Sequence, residues 1–198
     1  MKSFLETLSE YPILSSEEMQ SISTKVHIKK VAKGEILQKK GDLSNRIFFV
    51  KKGLLRSYSI DENEKEHIFM FASEDWIMSD LSSHAFNAPP ELYIDAVEDS
   101  EIEICPQDFF VNVVLQHPEF GFSGTDKLTK RVAVLQKRVI MLMSASARER
   151  YENFLETYPK IAQRVPQRMI ASYLGITPEA LSKIRGEMSR RKTTGLII

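Results

Sequence analysis

Seven side chains between residues 167 and 185 are suited to hydrogen bonding and ion pairing: Gln167, Arg168, Thr177, Glu179, Ser182, Lys183 and Arg185. They lie around one glycine, Gly175, from which the apolar residues keep a set spacing. Ala171 is four residues before it, Leu181 six after and Ile184 nine after. Ile170 and Leu174 complete the apolar face of a first helix, and Ile176 tucks under the turn. A small residue at 171 lets two helices approach, and glycine at 175 accepts the left-handed backbone of a sharp turn. Thr177 is placed to cap a second helix, with Pro178 at its first position, where a missing N–H costs nothing. With Leu181 and Ile184 turned to the core, Thr177, Glu179, Ser182, Lys183 and Arg185 face outward. A carboxylate at 179 can accept from a cytosine amino group, and an ammonium at 183 can donate to guanine or to phosphate. Gln167, Arg168 and Thr177 sit at helix starts, where phosphate contacts are expected. The pattern is that of a helix-turn-helix whose second helix enters the major groove of DNA. A packed helical hairpin with no nucleic-acid role is the alternative.

Charge distribution bears on that choice. The net charge is zero over 198 residues, yet residues 1–126 carry 12 Lys+Arg against 22 Asp+Glu, and residues 127–198 carry 15 against 5. Residues 160–198 alone hold eight Lys+Arg and two acids. An acidic half followed by a basic half suits a chain whose second part meets a polyanion, although clustering on solvated faces gives the same count. No apolar run approaches the roughly 20 residues of a membrane span. The opening "MKSFLETLSEYP" has acids where a secretory signal needs an apolar core. The single cysteine, Cys105, allows neither an intrachain disulfide nor a cluster held by four thiolates of this chain. A reducing, cytoplasmic compartment is expected.

The elements that must position the seven residues follow from patterning. Residues 3–9 and 15–24 read as short helices, the second with Ser15-Ser16 and Glu17-Glu18 as its start signal. From about 25 to 105, short and partly alternating apolar runs are punctuated by Lys33-Gly34, Gly41-Asp42 and Lys52-Gly53, as in a compact all-β unit. Residues 87–92, "NAPPEL", form a loop. "QDFFVNVVLQH" predicts a short helix ending at His117-Pro118. Leu128, Val132, Leu135, Val139 and Leu142 are then spaced 4, 3, 4, 3, the rhythm of a coiled-coil seam. A helix over about 120–144 would be roughly 35 Å long. Lys127, Lys130, Arg131, Lys137 and Arg138 argue against burial on all sides, so the seam is expected to meet a second copy. Burial against the chain's own domain is the alternative. "SARERYENFLETYP" predicts a further helix stopped near Pro159.

Taken together, "IFFVKKG" with Gly34, Gly41-Asp42 and Gly53, the long helix, and "VPQRMIASYLGITPEALSKIR" resemble the Crp/Fnr family of bacterial transcription regulators over nearly the whole chain. The resemblance implies an α+β fold. Residues 1–117 would form an effector domain built as a double-stranded β-helix, or β-roll, of the cyclic-nucleotide-binding type. Residues 118–145 would form a dimerisation helix, and residues 146–198 a helix-turn-helix domain. Only "TTGLII" follows Arg190-Arg191-Lys192, so the family's β-hairpin wing is expected to be truncated to one short strand at most. The implied partners are double-stranded DNA and a second copy of the chain, with half-sites about one helical turn apart. RNA polymerase is a further implied partner, and a membrane is not.

The chain departs from the family where a ligand would sit. Members that bind cyclic AMP carry a Gly-Glu pair on a short cassette helix and, shortly after it, an Arg that pairs with the cyclic phosphate. Here Met78 and Ser79 stand at the first place, and Pro90-Glu91-Leu92 stands near the second. No Lys or Arg occurs from Glu66 to Asp126. A buried phosphate needs a cation or dense N–H donors. Arg56 or a residue of the dimer helix is the remaining source of a cation, and cyclic AMP is not expected to bind in the usual way. Phe71, Trp76, Met78, Ser79, Leu81 and Tyr93 are the candidates to line a pocket for another, less charged effector, or simply to fill the core. No cofactor is predicted. One cysteine cannot hold an iron–sulfur cluster, and His67, His84 and His117 are too scattered to suggest haem. A cupin-type metalloenzyme would want an H-x-H pair that the four histidines do not provide. A regulatory module acting through a protein partner stays open, and enzymatic activity is not expected.

Overall fold

The computed structural model describes residues 3–9, 14–42, 46–107, 109, 112 and 118–194, with side chains except at residues 8, 9, 84, 118–128, 130, 131 and 191–194. Helices α1 (Phe4–Ser9) and α2 (Ser16–Lys25) come first. The signal before α2 is a capping box: Ser15 Oγ accepts from the Glu18 amide at 3.2 Å, while the Ser15 amide donates to the Glu18 carboxylate at 2.8 Å.

Eight strands follow, interrupted by one short helix: β1 (His27–Val31), β2 (Ile36–Gln38), β3 (Arg46–Lys52), β4 (Leu55–Ile60), β5 (Glu66–Ala72), β6 (Ile77–Met78), α3 (Leu81–Ala85), β7 (Tyr93–Ala96) and β8 (Ser100–Pro106). They form two four-stranded antiparallel sheets, ordered β1-β8-β3-β6 and β2-β7-β4-β5. Val31, Leu37, Phe48, Val50, Leu55, Ala72, Met78, Ile94, Ala96 and Ile102 are all buried between them. This apolar filling is the core of the compact all-β unit expected from the alternating runs and of the β-roll that the resemblance implies. Gly53 is required by sterics. Its φ is +104°, and a Cβ there would meet Ser100 at 2.2 Å from Oγ and 2.8 Å from Cα.

Of the helix expected over "QDFFVNVVLQH", Gln107, Phe109 and Asn112 are helical and the remainder lies outside the described residues. Helix α4 (Pro118–Ser144) is 27 residues long, about 40 Å. The C-terminal part comprises α5 (Ala147–Thr157), α6 (Pro159–Arg164), α7 (Gln167–Leu174) and α8 (Pro178–Thr194). The truncated wing, one short strand at most, is expected over "TTGLII", of which only Thr193 and Thr194 are described, both helical. Helix α8 continues past Gly186 and through Arg190-Arg191-Lys192 to Thr194; residues 195–198 lie outside those described.

The β-roll and the C-terminal helices share a core. Leu54, Tyr58, Ile68, Phe71 and Val97 of the roll are buried in one cluster with Tyr151, Phe154, Ile161, Val165, Ile170, Ala171, Leu174 and Leu181. The helix-turn-helix therefore has an orientation fixed by packing against the β4–β5 hairpin.

Candidate nucleic-acid interface and effector cassette

The turn between α7 and α8 is built as its sequence requires. Gly175 has φ +67° and ψ +35°, and its amide donates to the carbonyls of Ala171 and Ser172. The Ile176 amide reaches the Ala171 carbonyl at 3.0 Å, closing the end of α7. Thr177 Oγ1 accepts from the Ala180 amide at 3.2 Å, which caps α8 ahead of Pro178. Ile170, Ala171 and Leu181 are fully buried. With these inside, Arg168, Thr177, Glu179, Ser182, Lys183 and Arg185 are exposed. Gln167 differs: it is half-buried, and its Oε1 is shielded without a hydrogen-bond partner.

The exposed side chains do not all share one face. Pro178, Glu179, Ser182, Lys183, Gly186, Glu187 and Arg190 line a shallow open groove of about 640 Å³ along α8. Their spacing of three and four residues is one stripe of the helix. Arg185 is exposed but lies off that stripe. Gly186, Glu187 and Arg190 were not among the sequence candidates; continuing the three-and-four spacing beyond Lys183 finds them. Glu179 has its pKa lowered by its own amide and by the Thr177 hydroxyl, so it stays an acceptor.

On α4, Val132, Leu135, Val139 and Leu142 are 56, 41, 54 and 42% exposed, and Val134, Ile140 and Met143 are exposed beside them. The Leu128 side chain lies outside the described residues. A single chain thus leaves its 4-3-4-3 seam in water. Arg138 is not a free surface cation of this helix. It is half-buried, donating to the carbonyls of Phe69, Ile68 (3.0 Å) and Tyr173 (3.1 Å), with its guanidinium 4.0 Å from the Tyr173 ring centroid. Burial lowers its pKa, and the carbonyls and ring compensate the charge.

The pocket candidates do not converge. Met78 is fully buried in the roll core. Phe71 packs on Phe154 and Tyr173 in the shared core, and Trp76 sits edge-on to Tyr158 at 6.3 Å. Tyr93 stacks on Tyr58 at 5.4 Å, Ser79 is half-buried, and Leu81 is 63% exposed. Arg56, the residual cation, is committed elsewhere. It forks onto Asp95 with two contacts of 2.8 Å and also binds Glu66. Burial opposes its charge, but the two carboxylates hold its pKa above the ordinary value. Asp80 occupies the cassette itself. Its carboxylate is 2% exposed and accepts from the amides of Ser82 (3.1 Å), Glu91 (2.8 Å) and Leu92 (3.0 Å) and from the Ser82 hydroxyl.

Three contacts couple the cassette-bearing roll to the reader. Arg164 forks onto Glu74 with two contacts of 2.9 Å and reaches Glu98 at 2.6 Å. Burial opposes the Glu74 charge, yet Arg164 and nearby amides pull its pKa down to about 2. Ser172 Oγ donates to the Glu66 carbonyl at 2.7 Å and accepts from the Ile68 amide at 3.0 Å. Arg138 ties α4 to both. None of these three was visible in the sequence, because each pairs residues more than 30 positions apart.

Comparison with known proteins agrees with this architecture. Residues 28–117 match the cyclic nucleotide-binding domain family. The anaerobic regulatory protein of Haemophilus influenzae is 22% identical over 193 residues, covering 89% of this chain and 73% of that protein. By fold, a CooA variant from Carboxydothermus hydrogenoformans superposes with a TM-score of 0.72 at 22% identity, covering 96% of this chain and 85% of that one. A Crp/Fnr-family transcriptional regulator from Eubacterium rectale gives 0.71 at 17% identity, covering 91% and 86%. By sequence and fold, the chain is thus similar to Crp/Fnr regulators. Two of its features bear on the ligands considered above. Cys105, the one thiol, is buried and its pKa is pushed up to about 11 by burial, which does not suit a thiolate ligand. Residues 78–92 contain no Lys or Arg but do contain Asp80 and Glu91, with Lys40 3.9 Å from the Glu91 carboxylate. Among the described residues no helix is long and apolar enough to cross a membrane.

Proposed function

We propose that the chain is a homodimeric, sequence-specific DNA-binding transcription regulator of the cytoplasm, with no enzymatic activity. Residues 1–117 act as its effector domain, 118–145 as the dimerisation helix and 146–198 as the reader domain. The observation that carries this reading is the α8 stripe. Glu179, Ser182 and Lys183 are held outward by a turn whose inward residues Ile170, Ala171 and Leu181 are fully buried. Glu179 reads a cytosine amino group and Lys183 a guanine edge, while Arg168, Thr177 and Arg185 anchor phosphates. Gln167 contributes at most its amide nitrogen, since its oxygen is shielded. The exposed seam Val132, Leu135, Val139 and Leu142, continued by Leu128, supports the dimer, since pairing two such helices removes it from water.

The roll does not use cyclic AMP in the usual way. It sets the reader's orientation through Arg138, Arg164 and Ser172, and RNA polymerase is the partner through which a DNA-bound dimer would act. The test is selection of duplexes from a random library by the purified full chain, followed by binding over a salt series. A two-fold site with half-sites about 34 Å apart and a steep log-linear salt dependence is expected. Binding with no sequence preference, or with no salt dependence, would overturn the reader assignment and leave the protein-partner reading.

A further inference from the structure

The cassette loop and the start of α3 together make a donor cradle of the kind that holds an anion: three backbone amides and a hydroxyl converge on one point. In this chain the point is filled by a carboxylate from its own backbone neighbourhood. We propose that Asp80 is a built-in anion that occupies this cradle permanently, excluding phosphate-bearing ligands and locking the 88–92 loop. The inference deepens the reading of the roll as a ligand-free frame for the reader, and it rests on that reading.

Four observations support it. Asp80 is 2% exposed, yet no Lys or Arg of the described residues pairs with it, so its charge is compensated by the four donors alone. Each carboxylate oxygen takes two of them, Oδ1 from Ser82 and Oδ2 from Glu91 and Leu92, which bridges the helix start to the loop eleven and twelve residues later. The loop is tied at the same place by the Gln38 side chain, which donates to the Leu92 carbonyl at 3.1 Å, and by the Gly41 amide, which donates to the Pro90 carbonyl at 2.9 Å. Finally, the neighbouring exposed charge is Glu91, whose nearest cation is Lys40 at 3.9 Å. A second anion entering here would meet two carboxylates and find its amides already taken.

The experiment is hydrogen exchange on the full chain, comparing wild type with Asp80→Ala and Asp80→Asn, with sodium sulfate or cyclic AMP as probes against sodium chloride at equal ionic strength. In wild type the Glu91 and Leu92 amides should be protected, and neither probe should change them. Asp80→Ala should release those two amides by about tenfold, with the remainder of the roll unchanged, and sulfate should restore their protection. Asp80→Asn keeps one acceptor, folds if the smaller variant does not, and should release them less. Wild-type binding of cyclic AMP, unchanged exchange in both variants, or no response of the released amides to sulfate would each overturn the proposal. DNA binding measured on the same samples separates the two ideas: a wild type that fails to bind DNA with its loop still protected refutes the regulator reading and not the cradle.

Discussion

The two places where this chain resembles a binding protein treat their polar groups in opposite ways. In the cassette, the amides of Ser82, Glu91 and Leu92 and the Ser82 hydroxyl are spent on Asp80, and the nearby Arg56 is spent on Asp95 and Glu66. Along α8, Lys183 and Ser182 stand in water with no ion pair or side-chain hydrogen bond among the described residues, on a helix whose other face holds the fully buried Leu181 and the partly buried Ile184 and Met188. Satisfied polar groups lower the energy of the fold by themselves, whereas exposed ones fixed on a rigid element cost nothing until a partner arrives. On the proposed reading, the roll acts as a structural support and α8 carries the binding chemistry.

The strongest way to break that contrast is to empty the reader. Replacing Lys183 and Arg185 together by Ala should weaken binding to the selected duplex by at least about a hundredfold, each contact being worth about 1–3 kcal/mol. The sedimentation of the dimer should not change. The single variants sharpen the point, since only Lys183 lies on the groove stripe. Lys183→Ala should relax base preference at one position, and Arg185→Ala should weaken all sequences alike and reduce the salt slope.

Val139→Asp tests the seam next. A charge placed on a residue 54% exposed in the single chain should be tolerated by the fold but repel its counterpart in a dimer. Ultracentrifugation should show monomers with an unchanged melting temperature, and DNA affinity should fall because two half-sites are no longer linked. A dimer that survives this change would place the interface elsewhere.

The clamp between the two regions should give smaller effects. Glu74 has a folded pKa of about 2 against an ordinary 4.5. Its contribution is therefore fully present above about pH 4.5 and is lost as pH falls toward about 2. The partly exposed Arg164–Glu74–Glu98 group should add on the order of 1 kcal/mol or less. Arg164→Met should lower the melting temperature slightly at neutral pH and remove that part of the acid sensitivity. Equal acid sensitivity in variant and wild type would show that the clamp does not hold Glu74.

Gly186 gives the smallest effect and a diagnostic sign. It sits inside α8, and nothing lies within 4 Å of a Cβ built there. Glycine in a helix interior costs about 0.5–1 kcal/mol relative to alanine, and no contact within the chain explains it. Gly186→Ala should raise stability by roughly that amount in thermal unfolding. If the bare backbone serves close approach of DNA, the same variant should bind its duplex more weakly; tighter binding would remove Gly186 from the interface.

Much of this was legible in the sequence because it depends on local chemistry. The start signal at Ser15, the left-handed Gly175, the Thr177 cap and the 4-3-4-3 seam are all set by residues within a turn or two of one another. What sequence could not supply was pairing at a distance. Arg138 read as one of several surface cations, yet three carbonyls from β5 and α7 surround it. Phe71 and Trp76 read as pocket or core, and the fold assigns them to the seam between roll and reader. Asp80 was passed over because its meaning depends on amides eleven and twelve residues away.

The most direct test of the contrast between a closed cassette and an open reader is the affinity of the wild-type dimer for its selected duplex, measured by fluorescence anisotropy with and without millimolar cyclic AMP. The account predicts the same dissociation constant in both, with tight binding in the absence of nucleotide. Tightening of about tenfold or more on adding cyclic AMP would mean a coupling near 1.4 kcal/mol between the two regions, and would contradict it.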